Sequence, residues 1–132
     1  MDAEFKVEEL LKDVRQDTDI LALFLFGSVV RDEQSPSSDI DFCLALMPKG
    51  GVHDPNGLSR KRLEYLGKYP LDIQIFQQLP IYIRKRIIRE GRILFVRDEG
   101  QLYELALRTV QAFEDFRQIY TSYLEEVASG RP

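Results

Sequence analysis

Two aspartates separated by one residue, Asp39 and Asp41, stand at the head of the apolar stretch "DIDFCLALM". Side chains two apart on a strand point the same way, so the two carboxylates project together while Ile40 and Phe42 face the opposite side. Carboxylates a few ångströms apart repel, and one is forced to hold a proton unless a cation sits between them. Mg²⁺ resolves that conflict, because it takes oxygen ligands and is usually held by one or two carboxylates together with substrate phosphates. Asp72 opens a later apolar stretch, "LDIQIF". If that strand lies beside Asp39–Met47, its carboxylate reaches the same cluster. Three carboxylates on adjacent strands suit a two-metal phosphoryl-transfer site, whose cations sit about 3.5–4 Å apart and stabilise the attacking and leaving oxygens.

Ten residues upstream of the aspartate pair lies Gly27-Ser28, directly after the apolar run "ILALFLF". A turn at Gly27 lets the backbone approach a phosphate closely. Backbone N–H groups there, with the Ser28 hydroxyl, form an anion-binding nest. If "VVRDE" begins a helix, the positive end of its dipole faces the same phosphates. Arg31 adds a cation there or anchors the turn. Each piece has a plainer reading. A D-x-D pair alone is commonly a solvated strand edge, a Gly-Ser after a strand is usually just a turn, and Asp72 alone could be a strand-entry residue. The three together, each at the same end of an expected strand, favour chemistry.

The elements that must carry these residues follow from periodicity. Val7, Leu10, Leu11 and Val14 fall at i, i+3, i+4, i+7 and predict an amphipathic helix. Ile20–Phe26 is apolar at every position and predicts a strand buried on both faces. The stretch Val29–Ser38 is polar and holds a short helix or a loop. Asp39–Met47 is the second strand. Pro48–Gly57, "PKGGVHDPNG", is dense in Gly and Pro and reads as a surface loop; His53 within it reads as a surface residue. A short helix over about 58–68 turns Leu63 and Leu66 inward. Leu71–Phe76 alternates with period two, Leu71, Ile73 and Ile75 on one face and Asp72, Gln74 and Phe76 on the other. Pro80 opens a helix that Gly91 stops. Arg92–Val96 is an edge strand. From Glu99 to about Val127 runs one long helical pattern, roughly 40 Å if continuous. Helices alternating with three or four strands give an α/β or α+β architecture, a sheet flanked by helices.

Bulk properties bound the function. A chain of 132 residues, 44% hydrophobic and 30% charged, is an ordinary globular composition. A formal net charge of −4 leaves no electrostatic footprint for nucleic acid, so no direct nucleic-acid binding is expected. One cysteine, Cys43, excludes an internal disulfide and the cysteine-rich zinc motifs. No signal-peptide layout or membrane-length apolar run is present, and the chain reads as soluble and cytoplasmic.

At Gly27-Ser28, Asp39-Ile40-Asp41 and Asp72 the sequence resembles the DNA polymerase beta-like nucleotidyltransferase superfamily, and its spacing that of the minimal nucleotidyltransferase (MNT) group. The stretch Leu79–Glu99 is similar to the segment following the third aspartate in that group, so the likeness covers roughly residues 21–127. The resemblance implies the polymerase beta-like fold, a mixed sheet of three to four strands with a long C-terminal helix. It also implies a single nucleotidyltransferase domain over residues 1–132, with a core at about 20–97 and the terminal helix at about 99–127. Gly27, Ser28 and Arg31 would then hold the triphosphate of ATP. Asp39, Asp41 and Asp72 would bind two Mg²⁺ ions, and Asp72 would help deprotonate the acceptor hydroxyl. Val30-Arg31-Asp32 departs from the Ala-Arg-Gly of many relatives: Arg31 is kept, but Asp32 puts a carboxylate near the phosphate turn.

MNT proteins are often partners of HEPN ribonuclease toxins, and the resemblance implies an antitoxin that transfers AMP to a tyrosine of such a toxin within a heteromeric complex. Two alternatives stay open: a same-fold enzyme acting on a small hydroxylated molecule, and a non-catalytic antitoxin that neutralises its partner by binding. Two features are compatible with a protein partner. One is the apolar stripe of the last helix, including Phe113, Phe116, Tyr120 and Tyr123; the other is the basic run Arg84, Lys85, Arg86, Arg89 and Arg92. The expected role of most of the stripe is core packing against the sheet, and of the basic run a solvated helix face.

Overall fold

Seven consecutive apolar residues make the strand Ile20–Phe26 because the fold covers both of its faces. The computed structural model describes residues 3–27, 41–48 and 54–130. Its elements are helix α1 (Ala3–Gln16), strands β1 (Ile20–Phe26) and β2 (Asp41–Leu46), helix α2 (Pro55–Lys68), strand β3 (Asp72–Ile75), a 3₁₀ turn (Phe76–Gln78), helix α3 (Ile81–Glu90), strand β4 (Arg92–Val96) and helix α4 (Glu99–Ala128). The strands form one sheet in the order β3-β2-β1-β4. β2 and β4 run antiparallel to β1, while β3 runs parallel to β2. The sheet is therefore mixed and four-stranded, with β4 at an edge as its sequence implied.

Helices cover both faces of that sheet. On one, Leu23, Leu25, Phe42, Leu44, Ile73 and Ile75 pack with Leu10 and Val14 of α1 and Leu58 and Tyr65 of α2. On the other, Leu21, Phe24, Cys43, Ala45 and Phe76 pack with Ile87 of α3, with Leu102 and Leu105 of α4 against them. Alternate residues of β2 thus belong to opposite cores, as the two-residue period of a strand requires.

Several boundaries differ from the sequence reading. α2 starts at Pro55, inside the stretch expected to be loop as far as Gly57. Asp54 supplies the reason: its side chain accepts the Gly57 N–H and Pro55 opens the first turn, a strong start signal. Leu63, expected to point inward, is 66% exposed. The inward row of α2 is Leu58, Tyr65 and Leu66. Five residues on from Leu58, at 100° each, Leu63 has rotated well off that row. β3 ends at Ile75, with Phe76 passing into the 3₁₀ turn. β2 is described from Asp41; Asp39, Ile40, the short helix or loop expected over 29–38, and His53 lie outside the described residues.

The largest difference concerns α4. Its length matches expectation and Asp98 caps it by accepting the Gln101 N–H. Its apolar stripe, however, packs on the core only at the N-terminal end. Leu102, Leu105 and buried Thr109 lie inward, whereas Phe116, Tyr120, Tyr123, Leu124 and Val127 are exposed. At 1.5 Å per residue α4 is about 45 Å long and α3 about 15 Å, so α3 cannot cover it all. The basic run is divided. Arg86, Arg89 and Arg92 are exposed, but Arg84 donates to the Leu79 carbonyl at 3.0 Å and Lys85 Nζ sits 4.5 Å from the Phe113 ring centre.

Candidate active site

β2 and β3 lie side by side with their first residues opposed. In the parallel ladder Asp41 pairs with Asp72, Phe42 with Ile73, Cys43 with Gln74 and Leu44 with Ile75. Neighbouring strands stand about 4.8 Å apart, and in-register residues of a parallel pair point to one face. Phe42, Ile73 and their alternates belong to the α1/α2 core, so Asp41 and Asp72 share the opposite face. Asp41 is half-buried and Asp72 exposed.

Side chains around β3 hold it in place, one of them across to β2. Gln77, just after β3, accepts the Leu46 N–H at 3.1 Å and donates to the Leu46 carbonyl at 2.9 Å, which ties the end of β2 to the β3 segment. Arg62 of α2 donates through Nε to the Ile73 carbonyl at 2.9 Å and so engages β3 one residue from Asp72. Gln74, two residues along on the same face, donates through Nε2 to Asp72 Oδ1 at 3.0 Å and restricts how that carboxylate can turn. Sequence reasoning assigned no role to these three residues. The period-two alternation already placed Gln74 beside Asp72, and that was a usable signal; nothing local marked Gln77 or Arg62.

The turn after β1 completes the arrangement. Phe26 pairs with Asp41 across the antiparallel ladder, and Gly27 follows with φ +96°, a backbone conformation side chains disfavour. A Cβ on Gly27 would lie 2.6 Å from Asp41 Oδ2. The bare backbone of the turn therefore runs against one carboxylate of the pair. Ser28, Arg31 and Asp39 lie outside the described residues, so the structure brings together Gly27, Asp41 and Asp72 of the expected set.

Two carboxylates opposed on one face are the oxygen donors Mg²⁺ prefers, and a cation between them relieves their repulsion. The donor chemistry thus fits a divalent ion. Among the described residues no group of three or more His, Cys, Asp and Glu is placed to hold a metal. Elsewhere, Cys43 is buried and burial pushes its thiol well above its usual range, so it is a core residue rather than a nucleophile. No described helix is long and apolar enough to cross a membrane.

Residues 8–100 match the family described as polymerase beta, nucleotidyltransferase. The chain belongs to that family and is a nucleotidyltransferase. A relative from Methanocaldococcus jannaschii that carries the provisional name protein adenylyltransferase is 35% identical over 104 residues, 76% of this chain and 70% of the relative. Among solved structures, a chain from a toxin–antitoxin crystallised with AMP-PNP superposes with a TM-score of 0.66 at 17% identity, covering 96% of this chain and 98% of that one. A chain from the tri-AMPylated HEPN toxin of Shewanella oneidensis in complex with its MNT antitoxin gives 0.63 at 12% identity, covering 95% and 98%. Identities this low establish the shared fold.

Proposed function

We propose that the chain is a Mg²⁺-dependent adenylyltransferase that moves AMP from ATP to a tyrosine hydroxyl of a HEPN-type toxin, with which it forms a cytoplasmic heteromeric complex as the antitoxin. The observation that carries the reading is the opposition of Asp41 and Asp72 beside the Gly27 turn. The name of the archaeal relative and the AMP-modified toxin bound to an MNT antitoxin support the choice of nucleotide and acceptor.

In this reading the Gly27 turn, with Ser28 and Arg31, receives the triphosphate. Asp39, Asp41 and Asp72 would hold two Mg²⁺ ions, which would supply charge neutralisation at the phosphates and favour the ionised acceptor. The acceptor oxygen attacks the α-phosphorus, the bond from that phosphorus to the bridging oxygen breaks, and pyrophosphate leaves with the electron pair. Asp72 takes the acceptor proton, and Gln74 keeps its carboxylate turned for that task. Gly27 keeps its lack of a side chain so that backbone, carboxylate and phosphate fit in one layer.

ATP labelled at the α-phosphate, incubated with Mg²⁺ and a co-expressed HEPN partner, tests this directly. Label should appear on the partner with the wild-type chain and vanish with Asp41→Asn. Equal labelling by both proteins would refute the assignment.

A further inference from the structure

Helix α4 continues its apolar stripe past the point where the rest of the fold covers it. Leu102, Leu105 and Thr109 face the core, and Phe113, Phe116, Tyr120, Leu124 and Val127 follow at spacings of three and four on the same side. Every residue from Asp115 to Gly130 is nonetheless exposed. Phe116 and Tyr120 stack with ring centres 6.0 Å apart and planes 8° apart, an exposed aromatic pair. Ile119 and Tyr123, each more than half exposed, widen the stripe on one side. Together the exposed apolar groups offer roughly 600 Å², at the top of what a lone monomer usually leaves uncovered. A helical segment of this length gains little stability alone in water; helices owe most of theirs to burying an apolar face.

Charge selects the occupant. Asp115, Ile119 and Glu126 fall in one row, so the edge of the stripe is acidic, and Glu126 joins Ile119 and Tyr123 around a shallow open depression. Residues 111–130 carry Glu114, Asp115, Glu125 and Glu126 against one cation, Arg117, which already pairs with Glu114 at 2.9 Å. Antiparallel self-association centred on Tyr120 would bring Glu114 and Asp115 of one copy alongside Glu125 and Glu126 of the other. Like charges disfavour that pairing.

We propose that the outer half of α4, from Phe116 to Val127, is the docking surface for the partner protein, and that the partner presents an apolar helix face flanked by Lys or Arg. The inference rests on the reading that this chain acts on a protein partner. The docking surface then holds the partner along the projecting half of α4, independently of the carboxylate site.

The test compares complexes of the full chain with its co-expressed HEPN-type partner by light scattering and titration. Phe116→Glu/Tyr120→Glu should weaken binding at least tenfold while leaving the thermal midpoint unchanged, since both positions are already exposed. Asp115→Lys/Glu126→Lys should weaken it more modestly and reduce its salt sensitivity. Asp41→Asn should bind as the wild type does while failing to transfer AMP. A wild-type complex without AMP transfer would defeat the proposed activity and leave the docking surface standing. Binding by Phe116→Glu/Tyr120→Glu at wild-type affinity would overturn the docking surface, as would a wild-type chain that forms no complex. A chain that is dimeric alone, and made monomeric by the same pair of substitutions, would also overturn it, because the occupant would be a second copy.

Discussion

The backbone of Gly27 lies so close to Asp41 that a single added carbon would stand 2.6 Å from Oδ2 of the carboxylate. The turn and the first residue of β2 are therefore fitted to one another, and Gly27 additionally holds φ +96°, where a side chain costs about 1–2 kcal/mol. Gly27→Ala combines that strain with a displaced Asp41. It should lower the thermal midpoint by roughly 3–10 °C and AMP transfer by about tenfold or more, a loss that substituting an exposed glycine does not bring. Gly67 is the control: it sits in α2 with nothing within 4 Å of the added carbon, and Gly67→Ala should be neutral or stabilising. Equal activity of Gly27→Ala and wild type would show that the carboxylate tolerates movement.

Asp41 and Asp72 give the sharpest separation of function from stability. They face each other across the parallel ladder, and as carboxylates they repel unless a cation intervenes. If both carboxylates hold metal as proposed, Asp41→Asn and Asp72→Asn should each reduce AMP transfer by about a hundredfold or more, since a lost metal ligand removes several kcal/mol of transition-state stabilisation. Without metal, Asp72→Asn should fold as stably as wild type, since Asp72 is exposed. Mg²⁺ with a non-hydrolysable ATP analogue should raise the wild-type thermal midpoint, and neither variant should respond as strongly. EDTA should abolish transfer by the wild type. A variant that lost both stability and activity would instead mark these carboxylates as structural.

Much of this arrangement was legible along the chain, and what was not has a common cause. β1 was readable to the residue because all seven positions are apolar, and the alternation in Leu71–Phe76 correctly put Asp72 and Gln74 on one face. Whether Asp72 would meet Asp41 was not readable. That depends on register, which Gln77 helps to fix through its bonds to Leu46, 31 residues away in sequence. The start of α2 was missed because a Gly- and Pro-rich composition outweighed the local cap at Asp54. The stripe of α4 was seen, but periodicity reports only that a face is apolar. What covers the face depends on the length of α3, and α3 ends too soon.

Arg97 makes the clearest structural prediction. Its Nε donates to the Ile20 carbonyl at 2.8 Å, and its Nη2 lies 2.9–3.0 Å from the carbonyls of Val14, Arg15 and Asp17. Val14 and Arg15 are in the last turn of α1, whose carbonyls lack intrahelical partners and carry the negative end of the helix dipole. One guanidinium thus caps α1 and fixes it to β1 from the far end of β4. Arg97→Met removes all of these bonds, although the Val14 and Asp17 carbonyls keep the N–H groups of Asp17 and Ile20, and should cost about 1–3 kcal/mol in urea unfolding, with the slope unchanged. Arg97→Lys, a point charge without the fork, should recover only part of the loss. A loss below about 0.5 kcal/mol for Arg97→Met would mean that water satisfies the helix end equally well.

Asp17 provides a pH test whose sign is fixed by its surroundings. Burial pushes its carboxyl upward, but hydrogen bonds from Lys61 Nζ at 3.1 Å and Tyr65 Oη at 2.8 Å outweigh burial and hold it below the ordinary 3.8. A carboxylate whose folded value is depressed contributes stability above its unfolded value, and that contribution is lost as pH falls through the folded value. Lys61 shifts the other way: burial pulls it down, yet its bonds to Asp19 and Asp17 raise it above 10.5, so it stays charged throughout the acid range. Asp17→Asn should therefore be less stable than wild type by about 1–3 kcal/mol near neutrality. The difference should stay level down to about pH 5 and then shrink as the wild type protonates below 3.8. Thermal midpoints of both proteins measured across that range decide the matter: a gap that persists undiminished in acid would show that Asp17 acts through packing and not through its charge.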